Sequence, residues 1–298
     1  IHIMPDLPGA TPQMDKDMFD LLFNTSLLQP DQMKIYPCEV VPWTVIEKWY
    51  KSGKYIPYSQ QNPDALIDVV QYAMLQCKPW MRIPRIVRDI PLPYISGGNT
   101  CMNMRQVIDD KLKKVDKHSN DIRSREIGRH IEYDIKNASY VVRKYEASGG
   151  DEYFISLESR DKKVIFGFIR LRVPPIDHCP VFPAIRDTGL VRELHVYNNI
   201  VPVGHNKSIS TQHMGIGKNL LRYAENIAWV NGLMGISVIT GEGVRDYYHK
   251  RGYESIDTYA IKYFRWEFLQ RMRFSEYASL VYLLAWFVYI AEVILGKI

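Results

Sequence analysis

The sequence predicts an α/β protein in two parts, a run of β/α units followed by an antiparallel, helix-bearing domain, with a hydrophobic helix at the end of the chain. Three observations carry that prediction. Strand-like runs alternate with helical periodicity up to about residue 115. From Tyr140 the pattern takes the period of two and the tight turns of antiparallel strands. A glycine loop then opens an amphipathic helix between two further strand-like runs.

A chain of 298 residues has room for two ordinary domains. Its 46% hydrophobic and 24% charged residues are globular values, which exclude a disordered chain or a repeat array. A net charge of +5 tolerates an anionic partner. Cys38, Cys77, Cys101 and Cys179 are too widely spaced for a C-x-x-C metal motif or a secreted disulfide framework, which favours a reducing cytosolic setting. Residues Ile1-His2-Ile3 read as a buried strand running into the Pro5 to Gly9 turn, and lack the charged and apolar regions of a signal peptide. With no methionine at position 1, the chain reads as the C-terminal portion of a longer protein.

In the first part, Met33 to Pro37 reads as a strand, and Asn62-Pro63-Asp64 opens a helix that runs to Cys77. Two basic stretches follow. Arg82, Arg85 and Arg88 interleave with β-branched residues beside Trp80; Arg105, Lys111, Lys113, Lys114, Lys117, Arg123, Arg125 and Arg129 form the second. Either can track a phosphate backbone. A solvated helix face with paired charges gives the same pattern. The domain boundary falls near Arg129 to Asn137. Beyond it come the strands Tyr140 to Glu146, Glu152 to Glu158, Val164 to Arg172 and Leu190 to Tyr197, with a Ser148-Gly149-Gly150 turn and a Pro174 to Pro183 loop.

The chemistry sits around Gln212-x-x-Gly215-x-Gly217 and the helix that carries Leu220, Leu221, Ala224, Ile227 and Ala228 on one face. A helix N-terminus offers free N–H groups and a partial positive charge, and the glycines let a pyrophosphate come close. A plain helix-opening turn uses the same residues. The spacing is neither G-x-G-x-x-G nor a G-K-[ST] loop, and the preceding strands are antiparallel, so the context favours acetyl-CoA. On Val191 to Tyr197, Glu193 and His195 share a face, and the backbone of Leu194 to Val196 can bond a ligand's amide arm. After the next strand, Gly235 to Thr240, the segment Gly241 to Tyr253 presents Tyr247 and Tyr248, either packing residues or donors to a departing thiolate.

Arg192-Glu193-Leu194-His195-Val196-Tyr197, Gln212 to Gly217 and Arg245-Asp246-Tyr247-Tyr248 resemble the GNAT acetyltransferase domain of the Elongator catalytic-subunit family. Met4 to Gly9, Met33 to Pro37, Arg85 to Pro91 and Asp121 to Gly128 resemble the end of its radical SAM β/α barrel and the linker. The resemblance covers residues 1 to about 263. It implies a radical SAM part over 1–115, a basic linker over 116–137 and a GNAT α+β domain over 138–263.

The implied activity is acetyl-CoA-dependent placement of a carboxymethyl-type group on C5 of a wobble uridine in tRNA, with protein-lysine acetylation as the alternative and a membrane-tethered RNA-binding scaffold as a third reading. Acetyl-CoA would be held by Glu193, Leu194, His195 and Val196, by Gln212, Gly215, Ile216, Gly217, Lys218 and Asn219, and by Tyr248; Tyr247, Tyr248, Glu193 and His195 are the candidate catalytic residues. Arg82, Arg85, Arg88, Lys113, Lys114, Arg123 and Arg125 are the candidate tRNA contacts. S-adenosylmethionine and a 4Fe-4S cluster are expected in the full-length protein, because the cluster cysteines are not in this chain. Other Elongator subunits are implied partners. Ser119 and Ser124 stand where relatives have zinc-binding cysteines, so no metal is expected.

The 264–298 tail is basic, then apolar from Tyr277 to Leu295 except for Glu292. At ~1.5 Å per residue such a helix reaches roughly across a ~30 Å hydrocarbon core. It reads as a tail anchor on the mitochondrial outer membrane or endoplasmic reticulum with the enzyme facing the cytosol, or as a buried or partner-docking helix.

Overall fold

Caps and prolines set where the first helices begin. Thr11 accepts a hydrogen bond from the Met14 amide, and Pro12 occupies the first turn of α1 (Pro12–Asn24), where its missing N–H costs nothing. Pro63 opens α4 (Pro63–Gln76) in the same way. In a computed structural model of the protein, residues 1–130, 133–175, 178–197 and 215–264 are described. The chain forms two compact units, Ile1–Cys179 with Leu190–Asn226, and Pro180–Gly189 with Ile227 onward.

In the first unit, β1 (His2–Ile3) pairs parallel with β2 (Lys34–Ile35), and parallel bridges Gln32↔Arg82 and Ile35↔Ile86 continue the pattern. Helices α1, α4 and α5 (Met104–Lys114) supply Phe19, Phe23, Val70, Met74 and Ile108 to one core with Met33, Ile35 and Ile83. The short helices α2 (Val45–Lys51), α3 (Tyr58–Gln61) and α6 (Ile122–Arg125) complete this β/α part. The expectation of a buried first strand is corrected: Ile1 is 54% exposed. Among the described residues β1 pairs only with β2, so it is an edge, and burial begins at Pro5 and Asp6.

The same unit holds four antiparallel strands in the order β3 (Ser139–Ala147), β4 (Gly150–Glu158), β5 (Ile165–Val173), β6 (Thr188–Val196). Ser148 and Gly149, at φ 48 and 71, form the two-residue turn of β3 and β4, where positive φ matches the twist of the strands. Gly150 belongs to β4, not to the turn. Phe166, Phe168, Ile169 and Leu171 of β5 are buried on both faces of the sheet. Helix α7 (Ile216–Val230) buries Leu220, Leu221, Ala224 and Ala228 as its periodicity predicts, while Ile227 is half-buried; Tyr223 packs on Tyr140 at 4.8 Å between ring centroids.

The second unit has β7 (Gly235–Ile239), α8 (Arg245–His249), β8 (Glu254–Ile256) and β9 (Tyr259–Tyr263), with β9 antiparallel to both other strands. Gln212 and the expected tail helix within 265–298 lie outside the described residues. Among the described residues no helix is long and apolar enough to cross a membrane.

Candidate functional site

Two elements converge on Gly167 of β5. A Cβ there would lie 2.9 Å from the His195 carbonyl, 3.3 Å from the Val196 Cα and 3.4 Å from the Ile216 side chain. The absence of a side chain at Gly167 therefore lets the end of β6 and the start of α7 close on one point. Sequence reasoning passed over this residue, whose only signal was a glycine inside a strand pattern.

At the start of α7, Gly215 adopts φ 73, and among the described residues no heavy atom lies within 4 Å of the place a Cβ would take. The Asn219 amide makes the first helical bond, to the Gly215 carbonyl at 3.0 Å. The amides of Ile216, Gly217 and Lys218 precede it and have no partner within the helix, which leaves donors suited to an anion.

On β6, Arg170 pairs with Glu193 and Leu171 with Val191, so Arg192 is the extra residue of a β-bulge. Glu193 and His195 share a face, as their spacing requires. Glu193 is engaged as an ion-pair partner, its Oε2 accepting from the Arg170 Nε at 2.9 Å, which weakens its case as a free base. Burial holds the His195 imidazole below its ordinary range, against the opposing pull of Glu193, so the ring is neutral at neutral pH. It lies 4.5 Å from the Tyr197 ring.

In the second unit, Tyr248 is buried, and burial pushes its phenol up to about 12. Tyr247 stands at right angles to it, its ring covered by the Arg251 guanidinium at 3.4 Å. A phenol held protonated is the form that donates a proton.

The basic residues divide by burial. Arg125 is 3% exposed, and its guanidinium bonds Glu158 at 3.2 Å and the carbonyls of Asn120 and Pro79. The tRNA contact expected of it is corrected: its donors are consumed inside the fold and none faces a phosphate. Arg82 bonds Glu126 at 2.6 Å and is partly covered, and Arg123 is half-buried. Arg85, Arg88, Lys113 and Lys114 are exposed. Arg105, from the same basic stretch, joins Ser119 and Ser124 around the fully buried Asp121 carboxylate, which accepts their hydroxyls at 2.8 and 2.6 Å. The two serines thus serve a carboxylate hub. Among the described residues no group of His, Cys, Asp and Glu is placed to hold a metal ion.

Comparison with known proteins fits this arrangement. The Radical_SAM C-terminal domain family matches residues 30–114. Elongator complex protein 3 of Danio rerio is 35% identical over 88% of this chain and 48% of its own length. The tRNA uridine(34) acetyltransferase of Methanocaldococcus jannaschii is 38% identical over 88% of this chain and 49% of its own. The solved structure of Methanocaldococcus infernus Elp3 with an N-terminal deletion superposes with a TM-score of 0.79 at 36% identity, covering 88% of this chain and 62% of that one. The chain thus spans about half the length of the curated relatives it matches. It is a homologue of Elongator complex protein 3 and tRNA uridine(34) acetyltransferase over that shared span.

Proposed function

We propose that this chain is the acetyl-CoA-binding portion of an acyltransferase that modifies the wobble uridine of tRNA at C5. The observation that carries the reading is the joint between β6 and α7 over Gly167, in a chain 38% identical to a protein named for uridine(34) acetylation. The division into a radical SAM part over 1–115, a linker over 116–137 and a GNAT domain over 138–263 is part of the same proposal.

The donor set suits the ligand. The Gly215 turn and the helix-opening amides after it suit a pyrophosphate, with Gln212 assigned beside them by resemblance alone. The backbone of Leu194 and Val196 would hold the pantetheine arm as a further strand-like partner. Glu193 supports that strand through Arg170 rather than acting as a base, and the neutral His195 is the better acceptor for a proton. Tyr248, with Tyr247 beside it, is the candidate donor to the thiolate released from the thioester. Arg85, Arg88, Lys113 and Lys114 would meet the tRNA backbone, with Arg82 and Arg123 behind them. S-adenosylmethionine and a 4Fe-4S cluster belong to the proposal for the longer protein, since the described residues hold no cluster site. Elongator subunits as partners, and attachment of residues 264–298 to a membrane, are further parts of the reading; release of the expressed protein by alkaline carbonate would remove the anchor.

Acetyl-CoA turnover, measured with added tRNA and separately with basic peptides, tests the function. Turnover stimulated by tRNA alone supports it. Transfer to lysine assigns the site to protein acetylation, and turnover with neither leaves a binding module. Gly217→Trp is expected to abolish acetyl-CoA heat in titration calorimetry while the melting temperature is kept, because the bulk falls on the phosphate-facing turn.

A further inference from the structure

The extra residue of the β6 bulge does not hang free. Arg192 spreads its guanidinium between two carboxylates. One is Glu152 of β4, at 3.1 Å from Nε and 2.8 Å from Nη2. The other is Asp31, which accepts from both terminal nitrogens, the Nη2 bond being 2.9 Å. Asp31 precedes β2 and is separated from Arg192 by 161 positions in sequence. Its own backbone is fixed, since its carbonyl accepts from the Arg82 amide at 2.9 Å. Asp31 also faces Arg170 at 3.3 Å, a guanidinium 1% exposed that lies 5.2 and 5.3 Å from the ring centroids of Phe154 and Phe168. Burial alone would raise the Asp31 carboxyl, but the Arg192 bonds and the charges of Arg170 and Arg192 outweigh it and hold it below the ordinary carboxylate range.

A bulge breaks the ladder and leaves the strand free to twist, so the direction of the amides after it depends on what holds the extra residue. Here the holder is a fork, and a fork fixes orientation where a single contact would not. We propose that Asp31 is a positioning residue: by clamping Arg192 and neutralising Arg170 it sets the course of Glu193 to Val196, the stretch assigned to acetyl-CoA. The inference rests on that assignment for its meaning, and on geometry for its substance. A core residue of the β/α part gives the control. Phe19 of α1 is fully buried against Phe23, at 5.8 Å between ring centroids, and takes no part in the charged cluster around Arg192.

The test compares Asp31→Asn, Asp31→Glu, Arg192→Lys and Phe19→Leu in the full chain by amide hydrogen exchange and by acetyl-CoA calorimetry. Asp31→Asn is expected to speed exchange at Glu193 to Val196 about tenfold while Ile155 to Leu157 of β4 keep their protection, and to weaken acetyl-CoA about tenfold. Arg192→Lys keeps the charge, loses the fork and gives the same pattern in milder form. Asp31→Glu restores both readouts in part. Phe19→Leu lowers the melting temperature without moving either. The proposal is overturned if Asp31→Asn leaves exchange at Glu193 to Val196 unchanged, or changes it no more than Phe19→Leu does. Absence of acetyl-CoA heat in the unaltered protein would defeat the ligand assignment instead, and exchange would still decide whether Asp31 holds the strand.

Discussion

The β/α part and the antiparallel sheet of the first unit bury polar groups in opposite ways. In the β/α part, isolated carboxylates are satisfied mainly by neutral donors. Asp6 accepts from the amides of Tyr58 and Ser59 and from the Ser59 hydroxyl, while Asp15 accepts from the Asp6 amide and the Tyr58 phenol. Around the sheet, charge answers charge, with Asp31 and Arg125 reaching it from the β/α part. Glu158, with no exposed side-chain surface, takes Arg143 at two 2.8 Å bonds and Arg125 at 3.2 Å, and the Asp31, Glu152 and Glu193 carboxylates face Arg170, Arg172 and Arg192. A neutral donor satisfies a carboxylate at one place, whereas an arginine fork can reach two and so tie separate elements together. The sheet is therefore the part that substitutions of charge should damage most.

The largest effect is expected at Glu158. Glu158→Leu strands two guanidiniums, one of them 3% exposed, and should lower stability by about 3 kcal/mol in urea unfolding. Burial raises the Glu158 carboxyl, but Arg143 and Arg125 more than offset this and hold it below its ordinary value. Its stabilisation is therefore present above the ordinary carboxylate range and is lost on acidification through the lowered folded value. A Glu158→Leu variant whose deficit did not shrink at low pH would break the comparison.

The β/α part supplies the opposite sign. Both Glu39 carboxylate oxygens are buried without a hydrogen bond of good geometry among the described residues, and burial pushes the group up to about 7 against the pull of Asn99 and Arg88. The folded state then binds the proton more tightly than the unfolded one, so stability falls as pH rises from about 4.5 to about 7. Glu39→Gln removes that loss and, with the shift discounted for the solvent that still reaches the group, should gain about 2 kcal/mol relative to the unaltered protein between pH 4 and pH 8. Equal urea midpoints at both pH values would count against a buried, poorly answered Glu39.

The smallest effect belongs to the backbone. Gly149 holds φ 71 in the β3–β4 turn, with open space where a Cβ would sit. Gly149→Ala should cost about 1 kcal/mol from conformation alone. A larger loss would mean that the hairpin carries more of the charged sheet than its exposed turn suggests.

Much of the frame was legible in the chain. Pro63 and the apolar spacing after it marked α4, alternation marked β3 to β6 within a residue or two, and Gly215 marked the opening of α7. The candidate site was legible only as segments. Gly167 gave little sign of its part in joining them, and nothing in the local sequence singles out Asp31.

What the sequence alone determined was local: where helices start, which face of each is apolar, and where strands alternate, because those depend on neighbours within a few residues. What only the tertiary structure decided was the use of each charge. Arg85 and Arg125 read alike in the chain, yet one is exposed and paired four residues away with Asp89, and the other is buried on Glu158. Asp31 meets Arg192 only because the fold brings them together. The strength and purpose of a charge depend on distance through space and on the water removed around it, and neither is encoded in local spacing.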